Sequence, residues 1–156
     1  MASQSSLRAR IRHDLTEATR ARDALRLSTL RLISAALKDQ DIAARTTGQT
    51  DGVDDTQIMS ILTKMVRQRR ESAQSYMEAG RLEQAGREEA EIEVIEAYLP
   101  RPLSEDEVRA AVRRAVEETG ASGIRDMGRV MGALKERYTG QMDFARAGSE
   151  VKALLG

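Results

Sequence analysis

The sequence has no cysteine and no tryptophan, a single histidine, two prolines, and aromatic residues at only 3%. Without cysteine there is no disulfide and no thiolate chemistry, a usage that fits a reducing compartment. One histidine and no cysteine cannot assemble the usual zinc ligand sets. The shortage of aromatics leaves Leu, Ile, Val, Met and Ala to build a core, and most of these favour helix over strand. No apolar run approaches the ~20 residues of a membrane-spanning helix. Residues 1–6 lead directly into charged sequence, with no apolar stretch of the signal-peptide type. The expectation is a cytoplasmic protein with no membrane association. An excess of charge of one sign is missing too: 25 basic and 25 acidic side chains leave a formal net charge of zero. Dedicated polyanion binders are usually basic, so the overall charge counts against a strong nucleic-acid binder. The distribution is less even, with bases in excess through Arg81 and glutamate dominant from Glu83 to Glu96.

What is present is 40% apolar and 32% charged residue in a chain of 156, a mixture suited to amphipathic helices. At about 100° per residue, Leu7, Ile11, Leu15 and Ala18 share one stripe of a first helix. Asp23 is placed to cap a second helix reaching roughly Ala44. That helix has Leu27, Leu30, Ile33 and Leu37 on one face and Leu25, Leu32 and Ala36 on the opposite one. Apolar residues on two faces predict burial on both and a central position. After a polar loop, Asp54 and Gln57 have capping-box spacing, with Val53 and Ile58 as the staple. The third helix places Ile58, Leu62, Met65 and Tyr76 on one stripe and breaks at Gly80. The fourth presents Ala85, Ile92, Ile95 and Leu99, with Val94 and Tyr98 on its far side.

Pro100 and Pro102 bracket Arg101, and neither proline suits a helix interior. The chain is therefore read as two domains, 1–99 and 100–156, with Val94 or Tyr98 packing toward the second. Ser104 and Glu107 form another capping box. The fifth helix presents Val108, Ala111, Val112 and Ala115. The sixth, ending near Tyr138, points Met127, Val130, Met131 and Leu134 inward. Asp143 caps a last helix with Ala147, Val151 and Leu154 inside. No alternating strand pattern survives, so the fold class is all-α: an N-terminal helical bundle followed by a small three-helix domain.

Catalytic machinery is hard to find. His13 lies opposite Ile11 and Leu15, on the exposed side of its helix and without a triad partner motif. There is no glycine-rich phosphate loop. Glu88, Glu89, Glu91, Glu93 and Glu96 lack the Glu-x-x-His companions of a carboxylate-bridged metal pair and read as a solvated, ion-paired face. No catalytic, cofactor or metal site is assigned. In the basic run from Lys64 to Arg70, Arg69 falls on the stripe of Met65 and Tyr76, where a guanidinium must snorkel or find a carboxylate. The following helix offers Glu88, Glu89 and Glu96, while Glu91 and Glu93 point elsewhere on it, and an interhelical ion pair is expected ahead of direct RNA contact. The sixth helix stands out for Gly128 and Gly132, one turn apart. A glycine inside a helix costs ~1 kcal/mol relative to alanine, so two of them need a reason. Close packing of the last helix is one. A flat strip open to a phosphate backbone, bordered by Arg125, Arg129 and Lys135, is the other.

Four segments are distinctive together: Lys64-Met-Val-Arg-Gln-Arg-Arg-Glu-Ser72, Ala79-Gly-Arg81, Glu91-Ile-Glu-Val-Ile-Glu-Ala-Tyr-Leu-Pro100 and Asp126-Met-Gly-Arg-Val-Met-Gly132. They resemble the YqeY family, which is related to the C-terminal tail of the GatB subunit of glutamine-dependent tRNA amidotransferases. The resemblance runs from about Leu7 to the C-terminus. It implies a C-terminal domain similar to the GatB tail, which helps to hold tRNA while other parts do the chemistry. The family's label, carbon–nitrogen ligase activity with glutamine as amido-N-donor, reads as inherited from GatB, because this chain lacks a nucleotide motif and a glutaminase nucleophile. Carried over residue by residue, the RNA-facing positions are Arg125, Gly128, Arg129, Gly132 and Lys135. The turn Gly140-Gln141-Met142-Asp143 departs from the family pattern: the usual basic residue is Gln141, and Met142 replaces a small one. Two functions are expected in order: a non-catalytic tRNA-binding accessory module of amidotransferase systems, or a helical protein–protein adaptor without RNA.

Overall fold

The computed structural model describes residues 6–156, so the N-terminal stretch read above for signal character lies almost wholly outside the described residues. Among those residues the protein is all-helical: α1 (Leu7–Ala21), α2 (Ala24–Arg45), α3 (Asp55–Glu78), α4 (Leu82–Glu96), α5 (Glu105–Thr119), α6 (Met127–Tyr138) and α7 (Phe144–Leu155). A 3-10 turn, Ile124–Asp126, precedes α6. The chain forms two compact units that part between Leu99 and Pro100.

Local sequence sets most helix ends. Ser6, Asp23, Asp54, Ser104 and Asp143 each accept a backbone N–H with their side chains, satisfying donors that a helix N-terminus leaves orphaned. The boxes at Asp54/Gln57 and Ser104/Glu107 are both reciprocal. Gly80 and Gly120 take left-handed φ values of 75° and 66° after α3 and α5, which glycine adopts without a Cβ penalty.

In the first unit, α3 and α4 make the most extensive pairing, joined by three residues and therefore antiparallel. Leu30, Ile33, Ile58, Leu62 and Ile95 are wholly buried at its centre. Val94 and Tyr98 also pack here: Tyr98 is buried in this core, and Val94 packs partly buried against it. The Tyr98 hydroxyl donates to Asp14 Oδ2 at 2.5 Å. Their burial is thus accounted for within the first unit, where α1 supplies the polar partner that the tyrosine needs.

The second face of α2 departs from expectation. Ala36 packs partly buried against the core, but Leu25 and Leu32 are 39% and 47% exposed. The helix touches α1, α3 and α4 and puts Leu30, Ile33 and Leu37 into the core. Leu25 borders α1 and α4 residues at its rim, and the outer face stays partly exposed among the described residues.

In the second unit α5, α6 and α7 each pack on the other two. Ala111, Val112, Ala115, Val130, Leu134, Ala147 and Val151 form the core. Leu154, expected inside, is 51% exposed; Gly148 is buried instead and Leu155 packs partly buried. The departure at the last turn has a structural reason. Met142 is buried in the core. The Gln141 carbonyl accepts the Leu103 N–H at 2.8 Å, and its Nε2 donates to the Arg101 carbonyl at 3.2 Å. Gln141 and Met142 anchor the segment that leads into α5.

Candidate nucleic-acid interface

The five positions predicted to face RNA divide into three kinds of environment. Gly128 and Gly132 lie on the outer side of α6 and are exposed. A Cβ built on either meets nothing within 4 Å. Packing of the last helix therefore does not explain them. α7 does pack on α6, but the small residue at that contact is on α7: a Cβ on Gly148 would sit 3.5 Å from Met127 Cε and 3.9 Å from Met131 Cε. The sequence signal for this was present, because Gly148 shares the stripe of Ala147 and Val151. Gly128 lies in the first turn of α6, where a helix has little propensity to lose. Gly132 lies in its interior, where the cost is ~1 kcal/mol.

Arg125 is not on α6. The Asp126 carboxylate accepts the N–H groups of Ser122 and Gly123 at 3.0 and 3.3 Å, which tightens the preceding residues into the 3-10 turn and sets Arg125 there. Arg125 and Lys135 are exposed, and neither side chain makes an ion pair or hydrogen bond among the described residues. Of the five positions, these two carry charge that is available to an outside anion.

Arg129 is engaged within the fold. Its Nη1 donates to the Thr119 carbonyl at 2.8 Å, and its Nη2 pairs with Asp126 Oδ1 at 2.9 Å. Thr119 ends α5, so the guanidinium serves as a C-terminal cap. The backbone donors of Ser122, then Arg129, hold the Asp126 carboxyl at about 2, ionised at all ordinary pH. With its side chain 59% exposed, Arg129 still presents an edge to solvent. Glu136, missed in the sequence reading, follows Gly132 by one turn and is exposed on the same side. It places a carboxylate on the strip and offsets part of its positive field.

Elsewhere some charged groups are tied into the fold and others are exposed. His13 is exposed. Among the described residues, no three His, Cys, Asp or Glu side chains gather as a metal site would require, and no helix is long and apolar enough to cross a membrane. Arg69 finds its carboxylate on α4, but in Glu91, a residue whose helical position had pointed it elsewhere. The Nε–Oε1 separation is 3.5 Å, with both side chains about 15% exposed. Arg69 Nη1 donates to the Met65 carbonyl at 3.2 Å, while its buried Nε makes no aligned hydrogen bond. Burial, and then the charge of Glu91, raise the pKa of the neighbouring Glu88.

The family described as Yqey-like protein matches residues 8–155. Two similar proteins carry the name "Altered inheritance of mitochondria protein 41, mitochondrial". The one from Lachancea thermotolerans is 33% identical over 112 residues, 70% of this chain and 58% of its own length. The one from Vanderwaltozyma polyspora is 32% identical over 89 residues, 57% of this chain and 46% of its own. The chain spans about half the length of these curated relatives. A match over residues 8–155, nearly the whole chain, shows that the chain belongs to the YqeY family.

Proposed function

We propose that the second unit is a non-catalytic tRNA-binding module, presenting the open side of α6 to a phosphate backbone in the context of glutamine-dependent tRNA amidotransferases. The observation that carries this reading is Gly132. It is a glycine in a helix interior, at a helix-propensity cost of ~1 kcal/mol, and a Cβ built on it meets nothing within 4 Å. A contact outside the chain supplies the missing reason. Arg125 and Lys135, exposed nearby, support an anionic partner for that contact. Phosphate contacts of this kind position an RNA without reading its bases. The cysteine-free sequence supports the cytoplasm as the place of action; the relatives named above are called mitochondrial.

A tRNA titration at two salt concentrations tests it. Wild type should bind more weakly as salt rises. The Arg125→Ala, Arg129→Ala, Lys135→Ala variant should flatten the log-affinity against log-salt slope by roughly 0.7–0.9 per lost contact. Helix content must first be shown unchanged. Equal affinity and slope in the two proteins would remove this surface, and absence of binding at low salt would remove the RNA reading itself.

The second reading, a protein adaptor, is favoured by Glu136 on the strip and by the internal engagement of Arg129. It predicts no tRNA binding at either salt concentration.

A further inference from the structure

The outer face of α2 has an order of its own. Its core side carries Leu30, Ile33 and Leu37, all buried. On the outer side, Leu25, Leu32 and Asp39 recur every seven residues, and so do Ser28, Ala35 and Ile42. Leu25, Leu32 and Ile42 are among the exposed large apolar residues. Steps of three and four in alternation average 3.5, the repeat of a helix that lies along another helix. A third line with the same spacing, Arg31, Lys38 and Arg45, follows one edge of this seam. All three are exposed, and none makes an ion pair or side-chain hydrogen bond among the described residues. Asp41, the carboxylate one turn from both Lys38 and Arg45, is held by Arg8 through two hydrogen bonds of 2.8 and 2.9 Å. The other edge is Ala36 and Ala43, small enough for a helix to approach closely.

We propose that this face of α2 is a docking seam for an amphipathic helix of another protein, one whose apolar stripe is flanked by glutamate or aspartate. The charge pattern chooses the occupant. A second copy docked antiparallel would bring two rows of cations face to face. Docked parallel, it would set each row against Ala36 and Ala43. Neither arrangement compensates Arg31, Lys38 and Arg45, whereas an acid-flanked helix pairs all three. RNA would match the cations, but Asp39 sits in the seam beside them, and its apolar members Leu25, Leu32, Ala35 and Ile42 offer no aromatic ring for a base to stack on.

The test uses the full chain and a fluorescent synthetic helix of about four heptads, with Leu and Ala along its stripe and Glu on both flanks. A matched peptide carries Lys for Glu. The Glu peptide should bind, and the Lys peptide should bind at least about tenfold more weakly. The Arg31→Glu, Lys38→Glu, Arg45→Glu variant should invert that preference. Leu32→Glu should weaken the Glu peptide by roughly tenfold or more, because it buries a charge in the middle of the seam. These positions are exposed, so circular dichroism should show an unchanged fold. Equal binding of the two peptides, or no inversion, would overturn the proposal. So would a single-stranded RNA that binds through the three cations and is indifferent to Leu32→Glu, or a wild-type dimer that Leu32→Glu dissociates. Substitutions on α6 leave this readout untouched, so its failure is distinct from failure of the tRNA reading.

Discussion

Arg129 of α6 donates to the carbonyl of Thr119, the last residue of α5, at 2.8 Å. The same guanidinium pairs with Asp126, whose carboxylate closes the turn between the two helices. A cation that the sequence assigns to RNA therefore belongs first to the fold. Substituting it changes stability as well as charge.

Stability and binding should accordingly separate among the three cations. Arg129→Ala should lower the thermal midpoint of the protein, since it uncaps α5 and unpairs Asp126. Arg125→Ala and Lys135→Ala should leave the midpoint unchanged and weaken tRNA binding. Calorimetry beside a binding titration checks both, and a midpoint loss for Lys135→Ala equal to that for Arg129→Ala would contradict the division.

Gly132→Ala offers a sharper contrast. Its Cβ enters open space, so chemical denaturation should show a gain of about 0.5–1 kcal/mol in stability. If the open side of α6 is a contact surface, affinity for tRNA should fall at the same time. Greater stability with unchanged affinity would detach the glycine from binding.

Arg69→Ala should cost about 2–3 kcal/mol at neutral pH, because it strands Glu91 in a partly desolvated site. Glu88→Gln should do the opposite. Its raised pKa means that the folded state holds the proton more tightly than the unfolded chain. Wild-type stability therefore falls as pH rises through the folded pKa, and the penalty is absent below the unfolded value. The gain from Glu88→Gln should be present at neutral pH and vanish in acid. Urea titrations at both pH values measure it, and a loss of stability at neutral pH would refute the cause.

Asp126 should respond with the reverse sign. Its pKa is depressed to about 2 from an ordinary 3.8, so its contribution is complete above the ordinary value and lost as pH falls through the folded one. Asp126→Asn should destabilise the protein at neutral pH and converge with wild type near pH 2. A carboxylate chemical shift that titrates at the ordinary value would show that Ser122, Gly123 and Arg129 do not hold it.

Gly52 fixes the junction of α1, α2 and α3. It sits at φ 83°, and a Cβ there would lie 2.5 Å from Asp41 Oδ1. That oxygen accepts the Val53 N–H at 2.9 Å and one arm of Arg8. Gly52→Ala should cost about 1–2 kcal/mol for the backbone alone, with more from displacing Asp41. An unfolding midpoint equal to wild type would mean that the carboxylate moves aside freely.

The sequence by itself determined the local features of this protein. Helical periodicity, the boxes at Asp54/Gln57 and Ser104/Glu107, and the glycines at 80 and 120 depend on interactions within a few residues, so a linear reading recovers them. The all-helical class and the family follow from the same short-range order. Tertiary structure decided which apolar faces are covered. Leu30 and Leu32 have the same hydrophobicity, yet the first is wholly buried and the second 47% exposed, because burial depends on where the neighbouring helices lie and not on the helix that carries the residue. It also decided the partners of charge. Glu91 rather than its neighbours meets Arg69, and Arg129 turns back to α5 while Lys135 stays in solvent. An ion pair is set by distance in space, and spacing along one helix does not encode the position of the next.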